Sequence, residues 1–164
     1  MLREHTVIVA SIVDACIDPP GKDKPGTPKY KEYIKLERFE SLAGCTLYHT
    51  VDPGTPKQHL EPYFVFEKDT PVSARFVVVH SGTGSPRQIG DQYHVFSDGL
   101  VGSGHWKLNN TGEHIVLKNA IGEVVHEKYF EAHHCSLGNN YTVGAIATAV
   151  VTSSAVARSF GALD

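Results

Sequence analysis

Short runs of β-branched and aromatic residues recur along this chain at about ten-residue intervals, and no helical apolar period runs between them. This rhythm constrains the fold more than any motif does. Thr6–Val13, "TVIVASIV", is the first such run, and Glu32–Phe39, "EYIKLERF", alternates Tyr33, Lys35 and Glu37 against Ile34, Leu36 and Arg38 as a half-buried strand would. A short strand follows from Cys45 to Val51, with Gly44 as a turn or bulge before it. Then come "YFVFEK", the very apolar "ARFVVVHS", "YHVFS", "HWKL", "HIVLKN" and "EVVHEKYFEA". The Pro- and Gly-rich stretches Asp18–Lys31, "DPGTPKQHLEP" and "GTGSPRQIGDQ" read as loops. About eight strands at this spacing predict an all-β sandwich or barrel.

The rhythm stops after Ala132. In "YTVGAIATAVVTSSAVARSFGALD" only Arg158 and Asp164 are ionised, and propensity leaves helix and strand both open. The expected organisation is therefore a sandwich over residues 1–132 and an apolar C-terminal segment over 133–164. A terminal segment this apolar must be buried on its own domain or on another chain. Tyr141, Val143, Ile146 and Val150 are its candidate interface residues, and strand addition is one way to dock it. It is too short and too rich in Thr and Ser for a membrane span.

The formal charge is −3 and the basic residues are scattered, so nothing draws the chain electrostatically onto nucleic acid or an anionic membrane. The three cysteines, Cys16, Cys45 and Cys135, include no CxxC pair. They read as buried thiols of a reducing compartment, with a Cys16–Cys45 bridge as the alternative, because both lie beside predicted strands. The apolar run near the start is short and Asp14 closes it, so the expected address is cytoplasmic.

Three pieces of sequence resemble the lamin tail domain family, an immunoglobulin-like β-sandwich. The Pro/Gly-rich loop leading to "EYIKLERF" and then "LAGCTL" is similar to that family's "EYVEL" strand and "LxGWxL" turn. "ARFVVVHSGTG" resembles its central strand and glycine-rich loop. "WKLNNTGEHIVLKNAIGEVVHEKYF" resembles its closing hairpins. The resemblance covers about residues 7–130 and departs at Cys45, where the family carries Trp. It implies an immunoglobulin-like fold and a recognition or targeting role without catalysis or cofactor.

Ten histidines raise the question of a metal. His126, His133, His134 and Cys135 are the candidate cluster for a metal-binding protein or small metalloenzyme. Yet no H-x₃₋₅-H or HExxH spacing exists, and neighbours on a strand point to opposite faces. No G-x-S-x-G elbow is present, and Ser103 in "GSG" lacks the strand–turn–helix context of one. Asp14, Asp18, Asp23 and Glu32 lack the acidic alternation of a calcium loop. The loop His80–Gly90 begins G-x-G without the third glycine or the helix that a phosphate cradle needs. It is instead the candidate binding loop, because Arg87, Gln88, Tyr93 and His94 would put a guanidinium, an amide and an aromatic surface together. The expected function is a non-catalytic binding or assembly module. It would contact a protein partner or a second copy through its C-terminal segment, without metal or cofactor.

Overall fold

The computed structural model describes residues 8–17, 32–82, 84–97 and 108–135. Among these residues it is all β. Nine strands run in order: β1 (Ala10–Cys16), β2 (Tyr33–Arg38), β3 (Thr46–Val51), β4 (His59–Val65), β5 (Phe76–His80), β6 (Arg87–Ile89), β7 (Gln92–Phe96), β8 (Glu113–Lys118) and β9 (Val124–Phe130). A five-stranded sheet in the order β1-β2-β5-β7-β6 faces a four-stranded sheet in the order β4-β3-β8-β9. All pairings are antiparallel except β5 with β7.

The two inner faces come from the period-two alternation. Ile12, Ile34, Leu36, Val77, Val79 and Val95 of the larger sheet meet Leu47, Tyr63, Ile115 and Leu117 of the smaller one in one continuous core. Burying each such side chain stabilises the fold by roughly 1.5–3 kcal/mol. Turn chemistry sets the registers. Between β8 and β9, Asn119 Oδ1 accepts the N–H groups of Ile121 and Glu123, and Gly122 takes a φ of 85° that other residues resist.

Several boundaries differ from the sequence reading. β4 starts at His59, inside the expected loop "DPGTPKQHLEP", and it contains Pro62. An edge strand tolerates a proline, because no neighbour needs its missing N–H. β6 lies within the expected loop "GTGSPRQIGDQ" as the outer arm of a hairpin with β7. β2 is also not half-buried: Tyr33 and Lys35, on the face opposite Ile34 and Leu36, are buried too.

One side of the sandwich is stapled shut. β1 bulges between Ile12 and Asp14, and the Ile12 N–H donates to Nδ1 of His126 on β9, 2.9 Å away. Beyond the bulge, Ile17 N–H donates to the carbonyl of His134 at 2.9 Å, and Cys16 and Cys135 form a disulfide. His134 and Cys135 thus belong to the sandwich. This corrects the expected cysteine chemistry. Cys16 lies on the outer face of the larger sheet, whereas Cys45 lies in the core between the sheets, so the two thiols cannot meet. Cys45 is free and buried.

Candidate functional site

The side opposite the disulfide is open among the described residues. There the edge strands β4 and β6 have no further partner among the described residues. A groove of about 600 Å³ runs between the sheets, floored by Phe64, Phe66, Tyr93 and Val95 and rimmed by Pro86 and Asp69. That volume lies within the range of ligand and side-chain pockets. Phe64 and Phe66 meet edge to face, with centroids 4.9 Å apart. Hydrogen bonds hold the turn at the rim. Asp69 Oδ2 accepts from Arg38 Nη2 at 2.7 Å, and Asp69 Oδ1 accepts the N–H groups of Leu42 and Thr70. The Arg38 guanidinium and these N–H donors pull the Asp69 carboxyl down to about 2, so it stands ionised at the rim, paired with Arg38.

The four expected binding residues do not form one patch. The β6–β7 register places Arg87 opposite His94, and Gln88 opposite Tyr93. Successive residues of a strand face opposite sides, so the quartet splits into two pairs. Tyr93 lines the groove, while the Gln88 amide is bound to Ser73 Oγ and the Gly90 carbonyl, each at 3.0 Å. Arg87 and His94 belong to the outer face. His94 is 1% exposed, with Nδ1 2.8 Å from Nε2 of His80, and the two rings stack. His80 also stacks on Phe96 and leans on Tyr33. Burial above all, then the charges of Lys35 and Arg87, pulls the His94 pKa down to about 4. The imidazole is neutral at physiological pH and serves as packing. Tyr141, Val143, Ile146 and Val150 lie outside the described residues, as do Trp106, Ser103, Asp18 and Asp23.

The expected metal ligands are likewise separated by their bonds. His126 Nδ1 accepts from β1, which requires a neutral ring, and burial with nearby Lys128 lowers its pKa. His134 Nε2 lies 3.2 Å from Asp14 Oδ1, His133 turns through a φ of 61°, and the sulfur of Cys135 is in the disulfide. Among the described residues no three His, Cys, Asp or Glu side chains converge as a metal site would require. The Cys45 thiol is pushed up by burial and by Asp69, which keeps it protonated and a poor nucleophile.

Two polar networks sit inside the sandwich. Glu32 Oε1 accepts from Ser81 Oγ at 3.0 Å and from the Leu108 N–H at 2.9 Å, and Ser81 Oγ lies 2.5 Å from the Tyr63 hydroxyl. Glu113 accepts the N–H groups of Thr50 and Asn109 and the Asn109 amide, each at 2.9 Å. Glu32 takes one backbone N–H and Glu113 two, which is a structural task.

Phe64 and Phe66 escaped the sequence reading as site residues. Their spacing, F-x-F, is the ordinary signature of a core strand, and only the open edge turns it into a groove floor. No protein-family model matches the chain, and no curated protein matches it. Among the described residues no helix is long and apolar enough to cross a membrane.

Proposed function

We propose that the chain is a non-catalytic binding and assembly module, and that its groove receives an apolar segment inserted side chain first. The observation that carries this reading is the aromatic groove lined by Phe64, Phe66, Tyr93 and Val95, beside two sheet edges that have no further partner among the described residues. Aromatic side chains in concave sites supply large contact area and recur as energetic anchors. Simple strand addition fits less well. Pro62 removes a donor from β4, and β6 is three residues long with exposed Arg87, the usual devices that blunt a sheet edge. The occupant favoured here is residues 141–150 of the chain itself, from the same molecule or a second copy. This segment carries Tyr141, Val143, Ile146 and Val150 and no charge.

The disulfide bears on where such a module works. Bridges of this kind persist in oxidising compartments, so the proposal favours such a compartment over a cytoplasmic address. The test replaces Ile146 and Val150 by Asp in the full chain. The amide signals of Phe64, Phe66, Tyr93 and Val95 should shift, with a lower melting temperature or a lower mass in solution. Unchanged groove signals together with unchanged mass and melting would reject the reading; a fall in mass would assign the contact to a second copy.

A further inference from the structure

A second surface, on the outer face of the four-stranded sheet, carries chemistry unrelated to the groove. His114 on β8 pairs across the ladder with Tyr129 on β9. Their rings are parallel within 2°, with centroids 3.9 Å apart. His114 Nε2 is 2.7 Å from Glu127 Oε1. The carboxylate orients the imidazole and the imidazole backs the phenol ring, so Tyr129 is held in one plane although it is 71% exposed. An exposed aromatic ring alone is unremarkable on a soluble protein. This one borders a cavity of about 420 Å³, whose other walls include Thr50, Gln58, Thr111, Gly112 and His114.

The cavity supplies hydrogen-bonding groups around an aromatic shelf. Gln58 Oε1 accepts the Gly54 N–H at 2.7 Å, which fixes the amide and leaves its NH2 group to donate. Thr111 brings a hydroxyl that donates or accepts. Gly112, at a φ of 127°, keeps the floor free of a side chain where a β-carbon would sit 3.4 Å from the Phe130 carbonyl oxygen. None of the described lining residues is Lys or Arg, and the Glu127 carboxylate flanks the cavity, whereas the Glu113 carboxylate is buried and turned to Thr50 and Asn109. A phosphate or other anion would meet no lysine or arginine among the described lining residues, and the Glu127 carboxylate beside them. A nucleotide could stack on Tyr129, but its phosphates would face the same Glu127 carboxylate.

We propose that this surface is a binding site for a neutral carbohydrate. A pyranose ring has a flat face of C–H bonds that packs on an aromatic plane. Its rim of hydroxyls needs mixed donors and acceptors at the edge, here Gln58, Thr111 and the Glu127–His114 pair. The site rests on none of the groove residues, so it stands or falls separately from the assembly reading.

The test titrates the full, disulfide-intact chain with cellohexaose, xylohexaose and mannohexaose at millimolar concentration, followed by amide NMR and calorimetry. At least one hexasaccharide should shift the signals of Thr111, His114 and Tyr129. Tyr129→Phe should hold the affinity within about twofold and Tyr129→Ala should weaken it about tenfold or more. Both substitutions fall on an exposed side chain, and an unchanged melting curve confirms that they fold. No response to any of the three sugars, an equal response in Tyr129→Ala, or a stronger response to inositol hexakisphosphate would each overturn the proposal.

Discussion

Acidification should weaken this fold through one histidine, and the size of the effect follows from its surroundings. His94 is buried on the outer face of the larger sheet, between His80 and the charges of Lys35 and Arg87, and its pKa falls from 6.5 to about 4. In the unfolded chain the imidazole gains a proton near pH 6.5, whereas in the fold it stays neutral until about pH 4. The unfolded state therefore binds more protons between those values, and stability drops as pH falls through that window. The contribution is complete above pH 6.5, shrinks progressively below it, and is gone by about pH 4. Each pH unit is worth about 1.4 kcal/mol, so the whole window amounts to about 3 kcal/mol. Other groups act nearby. His126 is depressed too, and Asp69 loses its contribution only as pH falls below the ordinary carboxylate value of 3.8 towards about 2. The comparison must therefore be differential. In His94→Asn the amide can still hydrogen-bond His80 but does not titrate. Urea unfolding at intervals from pH 7 to pH 4 should show the parent losing about 3 kcal/mol more than the variant. A constant offset between the two curves reports only the packing cost of the substitution. Parallel curves across the window would refute the reasoning, because they would mean that His94 titrates alike in both states.

Two further outcomes follow from the staple and from one tight contact. The Cys16–Cys135 disulfide links residues 119 apart, and on the chain-entropy scale losing it costs roughly 4–5 kcal/mol. A Cys16→Ser/Cys135→Ser chain should lose that much in denaturant titrations, whereas an equal loss in Cys45→Ser would point to the wrong pair. Thiol titration in denaturant should find one free cysteine before reduction, Cys45, and the full set after it. At Gly84 a β-carbon would lie 2.6 Å from three atoms of the Phe96 ring, which itself stacks on His80. Gly84→Ala should therefore cost roughly 1–3 kcal/mol by overpacking. The same change at Gly90 also strains a φ of 61° but meets no atom, so it should leave the Phe96 ring signals in place while Gly84→Ala moves them.

The strands were legible in the sequence because alternation and turn residues are local signals. Ile34 and Leu36 identify an inner face, and Asn119 with Gly122 identifies a turn, without reference to anything distant. What failed required knowing which strand lies beside which. Arg87, Gln88, Tyr93 and His94 are close in sequence, and only the β6–β7 register shows that they divide between two faces. Cys16 and Cys45 each flank a strand, but those strands lie in different sheets, and the partner of Cys16 is the distant Cys135. Pro62 read as a loop because a proline excludes only a central strand, and position within a sheet is not a local property. The assumption that β2 keeps one wet face failed for a related reason. Tyr33 lies opposite His80, and His80 opposite Phe96, in a row that continues the side of Cys16; the next row holds Lys35, Val78 and His94. Polar and aromatic side chains alternating with Ile and Leu look like a solvated face when one strand is taken alone. Across four strands the same side chains pack on one another: Lys35 Nζ sits 4.5 Å over the Phe76 ring, and His80 lies against both His94 and Phe96. The larger sheet is thus buried on both faces at its Cys16 end, and that second burial, invisible to periodicity, is the physical origin of the depressed His94 pKa.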